Sequence, residues 1–139
     1  MDAYVEKALE YHHKGFNCAQ AVVCAFSDEL GMDEVSLCRT FIGFGSGMGD
    51  MQDTCGAVSG MAGVASLFLG KALVPPFAGK KELYKRVSSM KNDFKAKNQT
   101  TICRELRGID TGKPINSCDG CIEDAVRIVA SQIGLANKG

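Results

Sequence analysis

The sequence predicts an all-α protein, a single domain over residues 1–139 with about six helices around a central, buried helix rich in Gly and Ala. Apolar residues recur at helical spacing along most of the chain, and no segment alternates as a half-buried strand does. The 139 residues, 45% of them hydrophobic and 23% charged, match the size and composition of one globular domain. A domain of this length folds without needing a disulfide or a metal.

Apolar stripes at helical spacing define four of these helices in chain order. They comprise Val5 and Leu9; Ala19, Val22, Val23, Phe26 and Leu30; Leu83, Val87, Met90 and Phe94; and Ile122, Val126, Val129 and Ile133. Glycine and proline mark the predicted breaks between helices. These breaks lie at Gly15, at Gly31, over residues 43–49, at Pro75–Pro76 and over residues 108–114.

The central helix is predicted over the nearly uncharged residues 54–70. The stretch is shorter than the 18 or more apolar residues of a membrane span, so no membrane span is predicted. Gly56 and Gly60 have the spacing that lets two helix backbones approach closely. We expect a tight contact within the chain, and the alternative is a homodimer through the same surface.

Composition and charge limit the functional classes. Sixteen basic and sixteen acidic side chains cancel, so the chain has no overall field that would attract nucleic acid, and no nucleic-acid partner is predicted. Residues 1–7 lack the apolar run of a signal peptide, which predicts a cytoplasmic protein. Seven cysteines in a reducing compartment indicate metal binding or redox activity more often than structural disulfides.

Four of the cysteines lie at predicted helix starts. Residues that typically cap helices precede Cys18, Cys55 and Cys118, and Cys103 opens a short helical segment. Unpaired backbone N–H groups and the positive end of the helix dipole favour a thiolate at such positions. Helical phase points the first three thiols inward, so they can converge. The alternative is that each is buried separately.

Charge repulsion limits what converging thiols can be. Two like charges about 4 Å apart repel by about 4 kcal/mol at an effective dielectric constant near 20, whereas one helix start lowers a thiol pKa by about one unit or less. Such a set must be partly protonated, oxidised to a disulfide, or neutralised by a metal or an iron–sulfur cluster. The candidate metal ligands are Cys18, Cys55, Cys103 and Cys118, with Cys55 as the catalytic thiol.

Glycine residues directly before Cys55 form a second candidate feature. The run over residues 43–49 matches neither common nucleotide-binding fingerprint, so it predicts a turn with unusual backbone dihedrals. Its position makes Gly45, Gly47 and Gly49 a candidate wall of a cofactor site. Cys121 lies one helical turn after Cys118 on the same face and is a further candidate for contacting the cofactor.

The remaining two cysteines, the two histidines and a basic stretch are predicted to have structural roles. Cys24 is predicted to be peripheral and Cys38 to be a small core residue. His12 and His13 are expected to complement the negative end of the first helix. The excess of basic residues between positions 80 and 107 predicts a solvated helix face.

The order of several motifs is also informative. FNCAQAV around Cys18, the glycine run 43–49, CGAVSG from Cys55, CREL from Cys103, and finally Cys118 together resemble the redox-active bacterial and archaeal family named C_GCAxxG_C_C. The resemblance implies a small all-helical protein with an iron–sulfur cluster or thiol redox chemistry. Matching positions make Cys18, Cys55, Cys103 and Cys118 the motif cysteines. Cys121 departs from the pattern, which leaves open whether it or Cys118 is the functional thiol.

Three functional hypotheses follow. The first is a redox protein that binds an iron–sulfur cluster or cycles between dithiol and disulfide, exchanging electrons with a donor or acceptor protein. The second is a helical module that binds zinc or another metal without catalytic turnover. The third is a helical interaction protein that has buried cysteines and no cofactor.

Overall fold

Eight α-helices and two short helical turns make up the regular structure of the computed structural model, which describes residues 2–72, 75 and 78–135. The helices are α1 (Asp2–His13), α2 (Cys18–Cys24), α3 (Ser27–Leu30), α4 (Glu34–Phe41), α5 (Gly56–Gly70), α6 (Lys80–Asn98), α7 (Cys103–Leu106) and α8 (Cys118–Gln132). The all-α prediction is confirmed, since the β pairing within these residues is a single isolated bridge between Thr54 and Ile102. The count exceeds six because the stripe predicted as one helix from Ala19 to Leu30 divides into α2 and α3, and because the short segment that opens at Cys103 forms α7.

Helix α5 is the central element, as predicted, and packs against α2, α6 and α8. A side-chain carbon added at Gly60 would lie 3.0 Å from the Ala19 carbonyl oxygen and from Val22 Cβ. The glycine therefore lets the α5 backbone touch α2, which confirms the expected tight contact within the chain. The buried side chains of these helices belong to one continuous apolar cluster.

No helix within the described residues combines the length and the apolar character that crossing a membrane would require. The predicted break at Pro75–Pro76 falls between α5 and α6. Pro76 lies outside the described residues.

Side-chain caps define where α2 and α8 begin. The Asn17 side chain accepts a hydrogen bond from the Gln20 N–H at 2.9 Å, and the Gln20 side chain accepts one from the Asn17 N–H at 3.0 Å, which together form a capping box. The Ser117 hydroxyl caps α8 by accepting from the Gly120 N–H. Because these caps fix the helix starts, Cys18 and Cys118 become the first residues of their helices.

Removing the α2 cap should destabilise the fold. Asn17 also donates through Nδ2 to the Ile42 carbonyl oxygen at 2.9 Å, which ties α2 to the end of α4. We expect Asn17→Ala to lower the free energy of unfolding by about 1–2 kcal/mol in urea denaturation. Asn17→Asp keeps the capping oxygen and loses the Nδ2 donor. Its free energy of unfolding should therefore lie between those of Asn17→Ala and the wild type. An alanine variant as stable as the wild type would contradict this role.

The chain between α4 and α5 has the unusual backbone that its glycines predict. A 3₁₀ turn over Ile42–Phe44 leads into an irregular coil over Gly47–Met51, where the backbone leaves the right-handed helical region at Met48 and Gly49. Positive φ angles extend even to non-glycine residues here, with 49° at Ser46 and 69° at Met48. Such conformations are strained for side chains other than glycine and often occur near functional sites.

Candidate thiol site

Five cysteines line one cavity of about 1040 Å³. They come from four helix starts that are far apart in the sequence. Cys18 begins α2, Cys55 is the N-cap of α5, Cys103 begins α7, Cys118 begins α8, and Cys121 follows on the next turn of α8. The structure thus brings together all four predicted ligand residues and Cys121.

Cys18 and Cys118 form the more accessible pair in this cavity, and both are half-buried. Cys18 lies beside Cys118, whose sulfur accepts a hydrogen bond from Nη1 of Arg107. The hydrogen bond from Cys18 and then the charges of Arg107 and His12 lower the pKa of Cys118 to about 6, against the effect of burial. The same hydrogen bond and burial raise the pKa of Cys18.

Cys55 and Cys121 form a second, buried pair. A hydrogen bond from the Cys121 thiol is the largest cause that lowers the pKa of Cys55, and the backbone N–H groups of Ala57 and Val58 lower it further. This hydrogen bond and burial raise the pKa of Cys121. In each pair one thiol has a lowered pKa and its partner a raised one, so the two members do not ionise together, which fits the expectation that the set is only partly ionised.

Cys103 is the fifth thiol, and burial is the main cause that raises its pKa. Its N–H donates to the Asp53 carbonyl oxygen at 2.8 Å, and the Cys55 N–H donates to the Thr101 carbonyl oxygen at 2.8 Å. These two backbone bonds flank the isolated bridge between the two segments. They hold the start of α7 beside the start of α5, so the two cysteines face the same cavity.

The glycine run contributes less of the wall than expected. Gly47 lines the cavity, and a Cβ there would lie 2.5 Å from Cys103 Cβ, so only glycine fits. Gly45 and Gly49 are not among the lining residues. Gly45 instead leaves space for the Asn17 side chain, and Gly49 has a φ of 94° with open space beside it.

Sequence reasoning missed a cluster of two histidines and an aspartate at the edge of the cavity. His12 Nδ1 lies 2.6 Å from Asp119 Oδ1, and His13 Nε2 lies 2.8 Å from Asp119 Oδ2. The histidines thus tie the end of α1 to the start of α8. Hydrogen bonds from His13 and then His12 lower the pKa of Asp119. No sequence signal could reveal this contact, because its partners are more than 100 residues apart.

Arg107 was also missed, since it belongs to the basic stretch that predicts a solvated face. The residue is exposed, yet its guanidinium contacts the Cys118 sulfur. One signal was available: Arg107 follows Cys103 by four residues, which is about one helical turn, and therefore lies near the same site.

Cys24 and Cys38 lie outside the cavity lining. The prediction that Cys24 is peripheral is wrong, because its side chain is fully buried. Helix α4 covers the side of α2 that carries Cys24. The sequence prediction considered only the side of α2 with the apolar stripe to be buried. The sulfur atoms of Cys24 and Cys38 are 3.2 Å apart.

The pKa of Cys118 should depend on Arg107. In the wild type, the alkylation rate of Cys118 should rise with pH through about 6 and then level off, because the thiolate is the reacting form. Arg107→Gln removes a stabilising charge and should move this midpoint upward by about one unit. Mass spectrometry of iodoacetamide-treated protein over a pH series measures the rate at this residue.

Arg107→Lys is the matched control, because it keeps the positive charge at this position. Its midpoint should stay closer to that of the wild type. Equal midpoints in all three proteins would show that Arg107 does not stabilise the Cys118 thiolate.

Helix starts that bring five cysteines into one cavity define this chain as an all-helical, cysteine-rich protein. The family model described as "Putative redox-active protein (C_GCAxxG_C_C)" matches residues 16–132. The chain therefore belongs to this family, as the cysteine motifs indicated. Comparisons with curated proteins and with solved structures found no significant match.

Proposed function

We propose that the chain is a thiol redox protein whose Cys18/Cys118 pair cycles between dithiol and disulfide. The observation that carries the proposal is the contact of the Cys118 sulfur with both the Cys18 thiol and Arg107, within a large cavity. A thiolate at neutral pH with a second thiol beside it is the arrangement that thiol–disulfide exchange requires.

The reaction proceeds in two exchange steps. The Cys118 thiolate attacks one sulfur of a substrate disulfide, which forms a mixed disulfide and releases one substrate thiolate. Cys18 then loses its proton to solvent and attacks the Cys118 sulfur, which releases the second substrate thiolate. The substrate gains two electrons, and the protein is left with a Cys18–Cys118 disulfide. An electron-donor protein of the dithiol class would restore the reduced pair.

Cys55 and Cys121 can store a second pair of electrons. Cys55 is the better thiolate of the two because its sulfur accepts from Cys121 and from backbone N–H groups. Both residues are buried, so a large substrate meets Cys118 before Cys55. Cys55 therefore acts after Cys118, by exchange with the oxidised outer pair, instead of making the first attack.

An iron–sulfur cluster is the second candidate, and the chemistry of the donor set favours it. Thiolates are the usual protein ligands of such clusters, and here five thiols line one cavity. Cys18, Cys55, Cys103 and Cys118 would hold the cluster, with Cys121 as a fifth donor. The bound group would supply one-electron transfer. Four thiolates also suit zinc, which would stabilise the fold without redox activity.

Anaerobic purification of tag-free protein distinguishes these functions. Iron, acid-labile sulfide and zinc are measured together with the visible spectrum, and peptide mapping measures alkylation of each cavity thiol before and after oxidation with oxidised glutathione. Metal-free protein that loses cavity thiols on oxidation would support the dithiol proposal. Stoichiometric iron and sulfide would replace it with the cluster, and stoichiometric zinc would replace it with a structural site. Metal-free protein with unreactive thiols would overturn all three.

A further inference from the structure

The Cys24 and Cys38 thiols form a pair that the cavity chemistry does not use. Their sulfur atoms are 3.2 Å apart, with Cys24 at the end of α2 and Cys38 within α4. Cys24 has no exposed surface, whereas Cys38 is half-buried. The pair therefore joins two helices and has one accessible member.

We propose that Cys24 and Cys38 are a second redox-active dithiol, separate from the cavity, which a low-molecular-weight disulfide oxidises to a disulfide linking α2 to α4. A disulfide bond is about 2.05 Å long, so the two sulfur atoms need to approach by only about 1 Å. Side-chain rotation supplies a movement of this size without a shift of either helix.

Two hydrogen bonds near the pair hold α2 and α4 together. The Gln20 Nε2 donates to the Cys38 carbonyl oxygen at 3.0 Å, and the Asn17 Nδ2 donates to the Ile42 carbonyl oxygen at 2.9 Å. Gln20 is itself buried, so its bond is shielded from competing water. These contacts keep the backbones in place and the two thiols side by side in the reduced protein.

The difference in exposure sets the order of the chemical steps. The Cys38 thiolate attacks one sulfur of the low-molecular-weight disulfide, which forms a mixed disulfide and releases one small thiolate. Cys24 then gives up its proton and attacks the Cys38 sulfur, which releases the second small thiolate. The oxidant gains two electrons, and the protein gains one disulfide.

The surroundings of Cys24 agree with this order. Burial, the hydrogen bond with Cys38 and the nearby Glu34 carboxylate raise the pKa of Cys24, against the charge of Lys7. Tyr11 also faces the pair, and its hydroxyl hydrogen-bonds to Glu34 at 3.0 Å. Cys24 therefore remains protonated until Cys38 has reacted, and it acts as the resolving thiol.

The new bond would clamp α2, the helix that begins with the cavity thiol Cys18. Gln20 and Asn17 flank Cys18 and also bind the backbone of α4. Closing the intervening loop of about 15 residues should raise the thermal midpoint of the oxidised protein by about 10 °C. The cavity thiols are not needed for this reaction, so the proposal does not depend on the function proposed above.

Peptide mapping of the full-length protein tests the proposal. The reduced protein is incubated with oxidised glutathione, alkylated under denaturing conditions and digested with trypsin and Asp-N. Asp28 and Asp33 supply cleavage points between the two cysteines. We expect the peptide of residues 15–27 to be linked through Cys24 to the peptide of residues 33–39, with fragmentation distinguishing Cys24 from Cys18.

Two variants serve as controls. Cys118→Ser should retain the Cys24–Cys38 link, which separates this proposal from the cavity chemistry. Cys38→Ser should lose the link and the rise in thermal midpoint. The proposal would be overturned if Cys24 and Cys38 of the wild type were still free to be alkylated after exhaustive oxidation. A link from Cys24 to a cavity cysteine would also overturn it.

Discussion

Cys118→Ser should abolish the fast reaction of the protein with a small aromatic disulfide at pH 6.5. With a pKa of about 6, Cys118 is mostly thiolate at this pH, whereas an ordinary thiol is about 1% ionised. The lower pKa also reduces intrinsic nucleophilicity, which offsets part of this advantage. The net expectation is a roughly 5–10-fold slower reaction and complete loss of the Cys18–Cys118 disulfide. Stopped-flow absorbance of the released aromatic thiolate measures the rate.

Cys38→Ser is the matched control for this experiment. It removes one half-buried thiol outside the cavity, so the fast phase should remain. Cys18→Ser should keep a first exchange step and stop at the mixed disulfide, because the resolving thiol is absent. A fast phase that survives in Cys118→Ser would show that another thiol makes the first attack.

Gly60→Leu should cause a large loss of stability. Even a Cβ at this position would be 3.0 Å from the Ala19 carbonyl oxygen and Val22 Cβ, and the backbone oxygen cannot move without displacing α2. We expect the free energy of unfolding to fall by about 3 kcal/mol and the thermal midpoint by about 10 °C. Urea denaturation and thermal melts followed by circular dichroism measure the two quantities.

Gly70→Ala is the control for helix propensity and side-chain size. This glycine ends α5, and an added Cβ would meet no atom within 4 Å. Alanine favours helix over glycine by up to about 1 kcal/mol, so stability should stay the same or rise slightly. Similar losses in both variants would mean that the close contact between α2 and α5 is not what requires Gly60.

Helical class, the central helix and the placement of thiols at helix starts were all predictable from local sequence. Cap residues such as Asn17 and Ser117 are local signals, because they bond to backbone groups three residues away. The inward phase of Cys18 and Cys118 follows from helical period alone. These features need no knowledge of how distant segments meet.

The pairing of the thiols and the charged groups around them were not predictable in this way. Which cysteine meets which depends on how α2, α5 and α8 cross, and a single sequence does not encode that crossing in any local pattern. The same applies to Asp119 with its two histidines, and to Cys24 beneath α4. The sequence also left open whether Cys118 or Cys121 is the functional thiol, and the two residues have different thiol partners, Cys18 and Cys55.

Disulfide mapping of the cavity cysteines tests the central claim most directly. Metal-free, reduced protein is oxidised with oxidised glutathione and digested with trypsin and Asp-N, which cuts before Asp119 and so separates Cys118 from Cys121. The account predicts a link between Cys18 and Cys118, followed by one between Cys55 and Cys121. In protein free of iron and zinc, cavity cysteines that remain free thiols after oxidation, and are therefore fully alkylated, would contradict a redox site in this cavity.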